Sequence, residues 1–146
     1  MIRLSVYYVT KNEEARLPLS LKQALRVADE IVVVDSGSTD RTEEIAVSCG
    51  ARFIRHQWVS IGHQVSFAEQ CCTNRWVLRL DADEVLSDEL VEEILELKKN
   101  PDYSGYRIRI GEVFPGVPKP KRWVKHFKLI RLYDRDKMRM SGRFGP

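Results

Sequence analysis

Residues 30–40 read EIVVVDSGSTD. Ile31 to Val34 is an unbroken apolar run, which suits a parallel strand covered on both faces better than a half-exposed antiparallel one. The run stops at Asp35, and Ser36, Gly37, Ser38, Thr39 and Asp40 follow it, the small polar residues that turn a chain. Asp40 with Glu43 three residues later is a helix-start signal, and Gly50 marks where that helix should stop. Strand, polar turn and helix in that order form the first two-thirds of a βαβ unit.

The same order recurs on both sides. Arg3 to Val9 (RLSVYYV) reads as a strand, a polar break follows at 10–14, and Leu17, Leu21, Leu25 and Ala28 then recur at helical spacing, with Pro18 in the first turn. Downstream, Ala51 to Arg55 is a third short strand, Gly62 to Thr73 is helical, and Trp76 to Leu80 (WVLRL) is a fourth strand ending in Asp81, Ala82, Asp83 and Glu84. Ser87, Asp88 and Glu89 open the next helix, whose apolar stripe is Leu90, Val91, Ile94, Leu95 and Leu97. This alternation predicts an α/β fold: a doubly wound, mostly parallel sheet with helices on both faces. After Tyr103 the period changes to two. GYRIRI (105–110) and FKLIRLY (127–133) predict an antiparallel C-terminal addition, joined by a segment, 113–121, that holds three prolines and a glycine. No closing element is read in 138–146.

Composition excludes several classes. With 146 residues, 43% of them apolar, one domain with one core is expected, and no apolar run approaches the roughly 18 residues of a membrane span. The N-terminal stretch lacks signal-peptide features, which predicts a cytoplasmic protein. Cys49, Cys71 and Cys72 contain no CxxC and are expected as buried thiols; His56, His63 and His126 show no metal-ligand spacing. The net charge of +3 is unevenly spread: residues 1–118 carry 14 Lys and Arg against 19 Asp and Glu, and 119–146 carry 10 against 2. No nucleic-acid-reading motif accompanies the basic segment, so an anionic lipid surface, an anionic substrate or a merely solvated face is expected there, and no nucleic acid. Trp58 and Trp76 are expected to pack in the interior, and Trp123 to pack, stack on a sugar or meet lipid. GxGxxG and GxxxxGK[ST] are both missing, which argues against dinucleotide and P-loop chemistry.

The acidic strand ends carry the chemistry. In a doubly wound sheet, ligands sit outside the carboxyl ends of the strands, where Asp35 and Asp40 can approach Asp81 and Asp83. Two carboxylates one residue apart in a turn can offer oxygen to a hard divalent cation that takes its remaining ligands from phosphates. The alternative is that each cluster only caps a turn. A phosphoacceptor role for Asp35 at the end of VVVD is a weaker third reading.

SVYYVTKNEEA (5–15), EIVVVDSGSTDRT (30–42) and WVLRLDADE (76–84), in this order, resemble the nucleotide-binding half of family 2 inverting glycosyltransferases of the GT-A fold. The nearest branch is the one that builds bacterial lipopolysaccharide or lipooligosaccharide cores. The resemblance is good over 3–100 and loose over 101–146. It implies a single domain, 1–146, in which 1–100 is the nucleotide-sugar-binding half and 101–146 a truncated start of the acceptor-side half. It implies metal-dependent transfer, with inversion, from a nucleotide diphosphate sugar (UDP by default) to a lipid-linked or lipopolysaccharide-core glycan. It also implies a cytoplasmic site with peripheral contact at the inner face of the membrane.

By the same resemblance, Thr10 and Glu13 line the base pocket, Asp35 bonds the base, Asp81 touches the ribose, and Asp83 holds Mg²⁺ or Mn²⁺. Gln64 stands where relatives carry Gln-Lys-Asn or Gln-Arg-Asn, but Val65 and Ser66 follow it, so a phosphate-facing cation is lacking and Lys11 is the substitute. The catalytic base is expected beyond Pro146. Asp134 and Asp136 are expected in surface ion pairs, and with Glu112 they are the fallback candidates. The competing reading is a non-catalytic nucleotide-binding module or an inactive fragment.

Overall fold

The computed structural model describes residues 1–113, 119 and 126–139. Its elements in chain order are β1 (Leu4–Thr10), α1 (Leu17–Ala24), β2 (Glu30–Asp35), α2 (Thr42–Ser48), β3 (Arg52–Arg55), α3 (Ile61–Cys71), β4 (Trp76–Arg79), α4 (Asp88–Leu97), β5 (Gly105–Gly111) and β6 (His126–Asp134). They form one sheet in the order β3-β2-β1-β4-β6-β5. The first four strands in that order run parallel, β6 is antiparallel to β4, and β5 is antiparallel to β6. The expected doubly wound sheet with an antiparallel addition is therefore what forms. Strand order reverses at β1, which has β2 on one side and β4 on the other, so the polar ends of these three strands face one crevice.

Side-chain parity sorts the core into two layers, because successive strand residues point to opposite faces. Leu4, Val6 and Tyr8 of β1, Ile31 and Val33 of β2, and Trp76 and Leu78 of β4 pack with Leu17 and Leu21 of α1, Ala46 of α2 and Ile94 of α4. Tyr7, Val32, Val34 and Val77 pack on the other side against Val65 and Ala68 of α3. Both strand phenols are buried and both find partners. Tyr8 Oη lies 2.8 Å from Ser20 Oγ, and Tyr7 Oη lies 2.8 Å from Tyr133 Oη, which itself donates to Glu69 at 2.5 Å. Burial pushes all three phenols up, and it pushes the Cys72 thiol up to about 12. Of the three cysteines expected to be buried only Cys72 is; Cys49 and Cys71 are half-buried.

Several local expectations are corrected. Helix α1 stops at Ala24, and Leu25 is left 47% exposed, because α1's buried face is completed by Leu17, Ser20, Leu21 and Ala24. Arg41, not Asp40, is the N-cap of α2. Asp40 acts one residue earlier, accepting from both the backbone N–H and the hydroxyl of Thr42, while Glu43 pairs with Arg55. Gly50 does end α2: at φ +81° it donates to the Val47 carbonyl while Ala51 donates to that of Ala46. Trp58 is 50% exposed, not interior, because it lies in the β3–α3 loop.

Asp134 is the clearest correction. Its pairing opposite Trp76 places it beside β4, where it is buried and bound by both arms of Arg75 at 2.8 and 2.6 Å. The basic tail is likewise not all surface, since Arg131 is buried and Arg135 donates to the Glu69 carbonyl. Trp123 and the rest of the proline-containing loop lie outside the described residues.

Candidate functional site at the carboxyl ends of the strands

The first acidic turn is built around Asp35. β1 and β2 are in register so that Thr10 lies beside Asp35. The carboxylate is fully buried and accepts four hydrogen bonds: from Gly37 N–H (2.9 Å) and Ser38 N–H (2.7 Å) on one oxygen, and from the Thr10 (2.8 Å) and Ser38 (2.5 Å) hydroxyls on the other. Burial alone would raise this carboxyl, but the hydrogen bonds from Ser38, Thr10 and Gly37 outweigh it and hold the group below its ordinary value. The turn in turn fixes the β1–α1 loop. Asn12, at φ +52°, donates its N–H to Ser38 Oγ and accepts from Thr39 N–H, and Glu13 N–H donates to Thr42 Oγ1.

The second acidic turn follows β4. Glu84 folds back on Asp81: its carboxylate accepts from Asp81 N–H at 3.0 Å, and its own N–H donates to the Asp81 carbonyl at 2.9 Å. Arg131 Nη2 reaches across from β6 to Glu84 Oε1 (2.7 Å) and Asp81 Oδ2 (3.3 Å), while Arg79 approaches the other Asp81 oxygen at 3.4 Å. Burial pushes the Glu84 carboxyl up, opposed by the Asp81 N–H and by Arg131. Asp83 differs from its neighbours. Its side chain is 58% exposed, and its ion pair is a long one, 3.8 Å to Arg16.

The expected site residues therefore fall into three groups. Thr10 and Asp35 are in direct contact, and Glu13 is linked to Asp83 through Arg16, whose guanidinium bonds both Glu13 oxygens at 2.8 Å. Asp81 sits beside Asp83 in the second turn. Gln64 is fully buried, its amide engaged by His56 Nδ1 (2.8 Å) and the His56 carbonyl (3.1 Å); His56 N–H in turn donates to the Asp35 carbonyl, so Gln64 supports the first turn from behind. Lys11 is exposed in the loop after β1. Sequence reasoning missed Arg16, His56 and Arg131. The i, i+3 spacing of Glu13 and Arg16 could have revealed the first; nothing local marks Arg131.

Residues 5–144 match the family described as Glycosyl transferase family 2. The chain belongs to this family. It is 41% identical over 138 residues to an uncharacterised glycosyltransferase of Rickettsia typhi, covering 92% of this chain and 47% of that protein. It is 34% identical over 142 residues to the lipopolysaccharide core biosynthesis glycosyltransferase LpsC of Rhizobium meliloti, covering 93% and 52%. This family 2 chain thus spans about half the length of the curated relatives it matches. Among solved structures, glucosyl-3-phosphoglycerate synthase from Mycobacterium tuberculosis in complex with UDP aligns at a TM-score of 0.51 and 27% identity, over 57% of this chain and 35% of that one. That synthase is also known with Mn²⁺, UDP and glucosyl-3-phosphoglycerate. The family and the sheet together give the GT-A fold.

The family 2 site can be tested for a divalent cation on its donor set. Among the described residues, no three His, Cys, Asp or Glu side chains gather as a ready-made cage. Asp83, 58% exposed and in only a long 3.8 Å ion pair with Arg16, stands at the carboxyl end of β4, and a single exposed carboxylate there suits a cation that keeps its waters and shares its ligands with a substrate. The residues present fit Mg²⁺ or Mn²⁺ held in that way. No helix among the described residues is long and apolar enough to cross a membrane.

Proposed function

We propose that this chain is the donor-binding region of a glycosyltransferase that moves a sugar, with inversion, from a UDP-sugar to a lipid-linked or lipopolysaccharide-core glycan. One observation carries the reading: at the switch point of the sheet, Asp83 is held forward and exposed while the acidic side chains around it are engaged by the chain's own donors. The synthase bound to UDP supports the nucleotide, and the similarity to LpsC supports the acceptor class.

In this reading Thr10 and Glu13 line the base pocket, Lys11 supplies the phosphate-facing cation, and Asp35, whose oxygens are taken by four donors of its own chain, holds the turn against which the base lies instead of bonding the base. Asp81 faces the ribose, Gln64 braces the pocket through His56, and Asp83 holds Mg²⁺ or Mn²⁺ against the diphosphate. When bound, the cation would act as a Lewis acid that stabilises the leaving diphosphate. Transfer also needs a carboxylate within reach of the acceptor hydroxyl. Asp134 pairs opposite the first residue of β4, at the end of the sheet away from the site, so neither it nor Asp136 is placed to act as that base. Glu112 is exposed just past β5, where β5 and β6 extend toward the site end, and it is the described carboxylate to mutate first. On the β5–β6 ribbon Arg109 pairs with Lys128, both exposed, which supports peripheral contact with an anionic membrane at its cytoplasmic face.

The test is a thermal-shift series of nucleoside diphosphates with and without Mn²⁺. UDP with Mn²⁺ should raise the midpoint and EDTA should reverse the gain, because a ligand of the folded state stabilises by mass action. No shift with any nucleoside diphosphate overturns the reading. Donor binding without acceptor-dependent nucleotide release by the intact protein would instead fit a non-catalytic nucleotide-binding module.

A further inference from the structure

Arg131 is a cation in an unusual position. It is 4% exposed, and its Nε–H is the only buried side-chain polar atom among the described residues without a hydrogen-bond partner. It also breaks the strand it belongs to. Tyr106 of β5 pairs with Leu132, but the next residue, Arg107, pairs with Ile130, so Arg131 is an extra residue in β6. Such bulges re-aim a side chain at the expense of local pairing. Here the bulged side chain crosses to the β4 turn and places one nitrogen against both Glu84 and Asp81. A regular strand and an apolar side chain would avoid the orphaned donor, so packing alone does not account for the arrangement.

The β4 turn holds three carboxylates in four residues, Asp81, Asp83 and Glu84, and any oxygen of Asp81 or Glu84 released from its donors would add ligand charge close to Asp83. We propose that Arg131 is a positioning residue that withholds Asp81 and Glu84 from the metal, leaving Asp83 alone, so that the divalent cation is held only when a nucleotide diphosphate supplies the missing ligands. The proposal rests on the donor-site reading above for the role of the nucleotide. The withholding itself is a property of this chain's own side chains. Its consequence is an ordered site: metal does not bind ahead of donor, and loss of the diphosphate releases it.

The experiment is a titration of the full chain with Mn²⁺ alone, reading free Mn²⁺ by electron paramagnetic resonance. Arg131→Gln should bind Mn²⁺ in the absence of nucleotide about tenfold more tightly than the parent, since ligand charge count sets affinity in such sites. Adding Glu84→Gln to that variant should remove most of the gain. Arg16→Gln deletes an equal charge and releases Asp83 and Glu13 from their ion pairs, but leaves Asp81 and Glu84 engaged, and should gain clearly less. Unchanged affinity in folded Arg131→Gln, or an equal gain in Arg16→Gln, overturns the proposal. Should Arg131→Gln fail to fold, Arg131→Lys decides: its shorter arm keeps the close contact to Glu84 and gives up the longer one to Asp81, so a gain of about threefold is expected and none refutes the proposal. A parent chain that binds no Mn²⁺ even with UDP would count against the donor-site reading, and the Arg131 result would still stand or fall by itself.

Discussion

Two acidic turns flank β1, at the ends of β2 and β4, and they are built in opposite ways. At Asp35 the acid is the centre: it is buried, and four donors from its own turn and from β1 converge on its oxygens. At Asp83 the acid is the rim: it is largely exposed, while its neighbours are occupied by Arg131, Arg79 and a backbone N–H. A carboxylate saturated by its own chain organises backbone, whereas Asp83, held only by a long ion pair to Arg16, leaves most of its surface exposed. Identical residue types in similar turns therefore do different work, and the difference lies in who supplies the donors.

That contrast can be broken most forcefully at Asp35. Asp35→Ala orphans two backbone N–H groups and two hydroxyls, and even with partial rescue by water it should cost about 4 kcal/mol of stability in urea unfolding, given roughly 1–3 kcal/mol per unsatisfied buried group. A loss under about 1 kcal/mol would show the turn holding itself without its acid.

Asp83→Asn should do the reverse. UDP affinity in Mn²⁺ should drop about 100-fold, equal to about 2.7 kcal/mol, while the unliganded protein stays within about 0.5 kcal/mol of the parent by thermal melting. Retained metal-dependent binding would place the metal elsewhere.

Gly37, in the Asp35 turn, sits at φ +111° with nothing within 4 Å of where a Cβ would be. Gly37→Ala therefore tests backbone strain without a clash and should cost about 2 kcal/mol, read by urea unfolding.

The smallest expected effect is on acid stability. Asp35 and Asp134 are both held below the ordinary aspartate value of 3.8, Asp35 by its turn donors against burial and Asp134 chiefly by its hydrogen bonds to Arg75. The folded state binds these protons less readily than the unfolded chain. The stability each contributes is therefore complete above pH 3.8 and is lost as pH falls through the depressed folded values. Asp134→Asn should lower stability at neutral pH by about 1 kcal/mol, its Arg75 partner being half exposed, and should flatten the acid limb of a pH–stability curve. An unchanged acid limb would assign that slope to other carboxylates.

Much of this was readable along the chain. The run IVVV, the β-branched and aromatic residues of SVYYV, the strand WVLRL, the Ser87 cap and the Gly50 stop each encode their element through neighbours in the chain, and each element forms where expected to within a residue or two. Where the reading failed, a distant partner decided. The helical spacing reaches Leu25 and Ala28, but α1 ends at Ala24, and the basic neighbours of Asp134 in sequence say nothing of Trp76 opposite it.

By itself, then, the sequence determined the strand-helix order, the covering of the sheet by helices on both faces and the presence of carboxylates at the strand ends, because side-chain period and turn chemistry are local; the one core it led us to expect is two clusters, one on each face of the sheet. Only the tertiary structure decided which carboxylate of the β4 turn stays exposed. That choice depends on β6 entering the sheet beside β4 and on a bulge that sends Arg131 to an acid 50 residues away. Strand neighbours and bulges are settled by competition among pairings distant in the chain, and no local pattern of apolar and polar residues records the outcome.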